Sequence, residues 1–122
     1  MDYKYKHSDA SQEVDYPKLV RDNIPDINLK RWGKELDHRI ATDDKEYLAY
    51  LLKKLTEEAE ELQFSPAEEI GDEIADVYEI IDAIIKVVGL SKSEIEKFQK
   101  VKRTDQGGFE KRVLMLSKNM PE

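Results

Sequence analysis

Two neighbouring stretches of the chain, Glu57-Glu-Ala-Glu-Glu61 and Glu73-Ile-Ala-Asp76, repeat carboxylates at three-residue spacing. Glu58 and Glu61 in the first, with Glu73 and Asp76 in the second, are the side chains most able to do chemistry. Carboxylates brought together beside a core repel one another and lose hydration, unless cations join them. An oxygen-only set of this kind suits Mg²⁺ or Mn²⁺ rather than zinc. The competing reading is a solvated acidic face, which is common on charged helices.

Whether the four carboxylates meet depends on the elements that carry them. Asp43-Asp-Lys-Glu46 has the form of a capping box. Leu48, Leu51, Leu52, Leu55, Ala59 and Leu62 then follow helical spacing, predicting a helix over 43–63. Ser65-Pro-Ala-Glu68 predicts a second cap, with Pro66 at the first helical position. Ile70, Ile74, Val77, Ile81, Ile84 and Val88 predict a helix over 66–88 that stops at Gly89. Two long helices joined by so short a loop form an antiparallel hairpin.

At about 100° per residue, Glu58 and Glu61 fall to one side of the first stripe, and Glu73 and Asp76 to the matching side of the second. Glu58 stands seven residues before Ser65 and Glu73 eight after it, so the two are nearly level. Glu57 points away from the core by the same count. Glu60, Glu68, Asp72, Glu79 and Asp82 are read as solvated.

Around the hairpin, Ile24, Ile27 and Trp32 anchor a short helix that starts near Ile24 or Pro25 and ends at Gly33. Ser91-Lys-Ser-Glu94 is a further capping box, opening a helix held by Ile95, Phe98 and Val101 that fades near Arg103. Gln106-Gly-Gly-Phe109 is a glycine turn, and the apolar run to Leu116 reads equally as extended or helical. The expected fold is all-α, with the antiparallel hairpin at the centre of a four-to-five-helix bundle. Ile80, Ile84, Ile85, Val87 and Val88 cannot all face one partner helix, so oligomerisation to a homodimer or homotetramer is expected to complete the bundle.

Composition narrows the function classes. The 122 residues suit one domain over 16–122, with residues 1–15 as a disordered leader. A net charge of −7 opposes a nucleic-acid-binding module, which needs a basic stripe. The absence of cysteine excludes disulfides and thiolate chemistry, while His7 and His38 lie in polar surroundings. No apolar run approaches the roughly 20 residues of a membrane span, and the first 15 residues are too charged for a secretory signal, so a cytoplasmic location is expected.

These acidic motifs resemble the MazG-like all-α nucleoside triphosphate pyrophosphohydrolases, whose signature is Glu-Glu-x-x-Glu followed after a short gap by Glu-x-x-Asp. Lys18-Leu-Val-Arg-Asp22 with Ile24-Pro25, and Gly107-Gly-Phe-Glu-Lys-Arg112, are similar to the ends of its single-domain phosphoribosyl-ATP pyrophosphohydrolase-like branch. The resemblance implies Mg²⁺-dependent cleavage of a (d)NTP to the monophosphate and pyrophosphate, in clearing unwanted nucleotides. It assigns Glu58, Glu61, Glu73 and Asp76 to the metal, with Mn²⁺ as a substitute. Glu57 would bind a second ion or orient the attacking water, and Glu57 and Glu58 are the catalytic candidates. Lys18, Arg21, Lys54, Lys111 and Arg112 are candidates for the phosphate tail, and Trp32 or Phe109 for stacking on a base. Gln106 replaces an arginine usual in that branch, leaving one phosphate contact missing or supplied by Arg103. The alternatives are phosphoribosyl-ATP as substrate, and a non-enzymatic acidic helical oligomer.

Overall fold

A computed structural model describes residues 16–118, so the expected leader over 1–15 lies outside the described residues. The described chain is all-α, without a strand: α1 (Ile24–Trp32), α2 (Asp44–Phe64), α3 (Ile70–Val87) and α4 (Lys92–Gln106). None of these helices is long and apolar enough to cross a membrane. The chain divides into two compact units, Met1–Ile84 and Ile85–Glu122.

In the first unit α1 begins with Pro25 in its first turn, and Gly33 closes it in the left-handed conformation at φ 70°, its N–H donating to Leu29 O. Ile24 is buried, but Trp32, at 68% exposure, is not the buried anchor expected. The Asp43 side chain caps α2 by accepting from Glu46 N. Glu46 does not complete the expected box with the N–H of Asp43. Its carboxylate accepts instead from Thr42 N and from both terminal nitrogens of Arg39, at 2.6 and 3.2 Å. The forked pair holds the Glu46 pKa below its ordinary value, first through the Arg39 hydrogen bond and then through Thr42.

Between the long helices the chain departs from the expected cap. Ser65 does not cap the following helix; its hydroxyl turns back and donates to Glu61 O at 2.7 Å, satisfying a carbonyl that the end of α2 leaves open. Pro66 then leads into a short 3₁₀ turn, Ala67–Glu69, before α3 starts at Ile70.

The faces that meet in the hairpin also differ from expectation. On α2 the inward line is Leu48, Leu51, Leu55, Glu58 and Leu62, with Leu51 only 2% exposed. On α3 it is Glu73, Val77, Ile80 and Ile84. Ile70, Ile74 and Ile81, expected in the seam, are exposed, as are Leu52 and Ala59 of α2. The helix α3 is apolar on two adjacent faces, and the one chosen is centred about 50°, half a residue's turn, away from the more continuous stripe. Glu58 and Glu73 therefore stand within the seam and not on its flank.

In the second unit α3 ends at Val87, and Gly89 follows, left-handed at φ 78°, with Gly89 N and Leu90 N donating to Lys86 O and Ile85 O. The Ser91 capping box forms in full: the Ser91 hydroxyl accepts from Glu94 N, and the Glu94 carboxylate from Ser91 N. The helix α4 persists to Gln106, one turn beyond Arg103. The apolar run that follows is not helical: Arg112 N closes a turn on Phe109 O, and residues 113–116 are exposed.

Candidate metal centre

The hairpin sets the height of the carboxylates and the seam sets their direction. Glu58 on α2 and Glu73 on α3 are buried, at 8% and 3% exposure, with Asp76 half-buried one turn along. Each of the three offers a carboxylate oxygen, and these oxygens lie within 4.8 Å of one another.

Burial makes this cluster electrostatically expensive. The Glu58 carboxyl is pushed up to about 7, first by burial and then by the negative charge of Glu61, while Lys54 opposes the shift. Glu61 is also raised, by burial first and by Glu73 second. Glu61 thus belongs to the electrostatic group although its oxygens are not among the three that converge. Neighbouring cations offset part of the charge. Lys54 Nζ, one turn before Glu58 on the same helix, is 3.6 Å from Glu58 Oε1, and Arg21 Nη2 is 2.7 Å from Asp76 Oδ1.

The donors fit a hard divalent cation. All are carboxylate oxygens, the set such an ion favours. Glu58 Oε2 is buried and has no hydrogen-bond partner among the described residues, the condition a coordinating oxygen would be in before its ion arrives.

The remaining predicted residues fall in two places. Glu57 faces away from the convergent oxygens, into a small depression that it lines with Lys18, Leu19, Tyr50, Lys53 and Lys54. Lys53 carries no signal in the sequence, because a lysine in a charged helix is unremarkable without a knowledge of what lies opposite. Lys18, Leu19 and Arg21 together form a strap: Lys18 and Leu19 lie against α2, and Arg21 against Asp76 of α3. Lys111 and Arg112 are exposed in the second unit, where Arg103 is engaged by Glu110 in an ion pair. Phe109 and Trp32 are both largely exposed, so neither is the buried anchor that is the usual role of such side chains. Glu60, Glu68, Asp72, Glu79, Asp82 and His38 are exposed as expected, and His7 lies outside the described residues.

Angular position divides the hairpin into two sides. At about 100° per residue, Tyr50, Lys54, Glu57 and Glu61 of α2 fall on the same side as Asp72 and Asp76 of α3, the side the strap crosses. Leu52, Ala59, Ile74 and Ile81 fall on the other. Comparison of the chain with protein-family models, with curated proteins and with solved structures returns no match.

Proposed function

We propose that this chain is a Mg²⁺-dependent nucleoside triphosphate pyrophosphohydrolase of the MazG-like type, cleaving a (d)NTP to its monophosphate and pyrophosphate. The observation that carries this reading is the convergence of Glu58, Glu73 and Asp76 oxygens within 4.8 Å, with Lys54 and Arg21 at the edge of the cluster. An acidic scaffold has no need to bury two of its glutamates in a helical seam, where they oppose folding.

In this reading Glu58, Glu73 and Asp76 hold the ion, and Glu61 tunes their charge. A divalent cation bound there would neutralise the polyanionic substrate and make water a better nucleophile at neutral pH. Lys18, Lys53 and Lys54 line the adjoining depression and supply positive charge for the phosphate tail. Glu57, in the same depression, orients the attacking water. The water oxygen bonds to the α-phosphorus and gives up a proton to solvent, the bond from that phosphorus to the α–β bridging oxygen breaks, and pyrophosphate leaves with the electron pair.

The exposed apolar side of the hairpin, Leu52, Ile74 and Ile81, is the surface by which two copies would associate.

The test is release of pyrophosphate from a panel of canonical and modified nucleoside triphosphates and phosphoribosyl-ATP, with Mg²⁺ or Mn²⁺. Glu58→Gln and Asp76→Asn are expected to lower the rate by about a hundredfold or more with helicity unchanged. Absence of pyrophosphate from every substrate with either metal would sink the hydrolase reading in favour of a non-enzymatic oligomer.

A further inference from the structure

On the strap, Arg21 pairs with a carboxylate that is itself a member of the convergent group. Its guanidinium crosses from the strap to α3 and donates to Asp76 Oδ1 at 2.7 Å. Asp76 is also one of the three residues whose oxygens lie within 4.8 Å of one another. One carboxylate is thus claimed by two positive charges, the guanidinium and any ion that enters the cluster. The two cations repel one another at such short range, in surroundings drier than bulk water. The Arg21 side chain is 44% exposed and Asp76 25%, so the guanidinium can leave without unpacking the seam.

The strap gives Arg21 somewhere to go. Three residues earlier, Lys18 lines the depression beside Lys53, Lys54 and Glu57. A phosphate chain reaching from the ion into that depression passes the base of the strap. A planar guanidinium binds phosphate oxygens in the same forked manner as a carboxylate.

We propose that Arg21 is an exchangeable counter-ion: it holds Asp76 while the cluster lacks a metal, yields it when a divalent ion binds, and then closes onto the incoming polyphosphate. The strap would so couple the order of binding, metal first and phosphate second, and keep the acidic pair from repelling α2 and α3 apart beforehand. The proposal rests on the metal-dependent reading above, but it fails separately from it.

The experiment titrates the full chain and its Arg21→Gln and Arg21→Lys variants with Mn²⁺ alone, following free Mn²⁺ by electron paramagnetic resonance. An exposed ion pair is worth up to about 1 kcal/mol, so Arg21→Gln is expected to bind Mn²⁺ about three- to fivefold more tightly than the parent, with Arg21→Lys between them. Inorganic tripolyphosphate at saturating Mn²⁺ is expected to show the reverse order, about tenfold weaker for Arg21→Gln. In the unaltered chain, amide exchange over residues 19–23 should quicken when Mn²⁺ is added and slow again when tripolyphosphate follows. That readout does not depend on a variant folding.

Equal or weaker Mn²⁺ binding by a folded Arg21→Gln, or strap amides indifferent to Mn²⁺, overturns the exchange and leaves the metal site standing. If neither the parent nor any variant binds Mn²⁺, both the exchange and the hydrolase reading fall.

Discussion

Glu58 and Glu73 face each other at the same level of the α2–α3 seam, each seven residues from an inward hydrophobic side chain, Leu51 on one helix and Ile80 on the other. At about 1.5 Å per residue the acidic level therefore lies about 10 Å from a greasy one. The hairpin is bound by apolar contact at one height and opposed by charge at the other. Replacing one acid by its neutral isostere should relieve the opposition: in chelator at pH 8, Glu58→Gln is expected to melt higher than the parent, by about 1 kcal/mol of stability. Added Mg²⁺ should raise the parent's melting temperature and leave that of the variant nearly unchanged.

The titration of Glu58 sets a pH dependence of definite sign. In the unfolded chain this carboxyl ionises near its ordinary 4.5, and in the folded metal-free protein only at about 7. Between those values the folded state keeps a proton that the unfolded state has lost, so this group makes stability fall as pH rises. Thermal melts in chelator from pH 5 to pH 8 should show the decline, and Glu58→Gln should flatten it. Excess Mg²⁺, which needs the ionised form, should stabilise the protein more at pH 8 than at pH 5.

Lys54 acts on the same proton from the other direction, since its charge lowers the Glu58 pKa. Lys54→Met keeps the apolar stem against the helix and removes the charge. It is expected to raise the Glu58 titration further and, by removing a cation that competes for Glu58, to tighten Mn²⁺ binding at pH 8 by about three- to fivefold, measured by calorimetry. A gain that shrinks as pH falls would show the proton competing at Glu58, whereas a loss at every pH would mean general damage to the site.

The apolar side of the hairpin gives a prediction about association. Ile74 and Ile81 are each 38% exposed, one helical face away from the inward line. Ile74→Glu with Ile81→Glu should convert an oligomer into monomer in light scattering with helicity retained, and a parent chain that runs as a monomer at high concentration would contradict the expectation.

Local stability should be most sensitive where a helix end is fully capped. Ser91→Ala removes the hydroxyl that accepts from Glu94 N, and should cost about 1 kcal/mol in chemical denaturation, with the loss concentrated in the amide protection of α4.

Much of this architecture is legible in the sequence. The caps at Asp43 and Ser91, the stops at Gly33 and Gly89, and the level pairing of Glu58 with Glu73 all follow from short-range rules in spacing and residue type. The direction of the seam does not. Ile70, Ile74 and Ile81 look more like a core than a line broken by Glu73, and no local rule predicts that a glutamate will be buried when an isoleucine beside it is left exposed. The strap was equally hidden: Lys18 and Arg21 gain their meaning from Tyr50, Lys53 and Asp76, which are far along the chain. Ser65 misled for a different reason, because a hydroxyl between two helices can serve either end, and the end of α2 took it.

That backward hydrogen bond from Ser65 fixes more than a helix end. With α2 closed at Phe64 and α3 opened after a single 3₁₀ turn, the connection works as a phase setter between two screws. One residue removed there would turn α3 by about 100° and shift it about 1.5 Å, carrying Glu73 out of the seam and Ile74 into it. The hairpin would then be greasier and could still fold, but its two acidic levels would no longer coincide. Shortening this loop by one residue is therefore expected to separate folding from ion binding, losing the second while sparing the first.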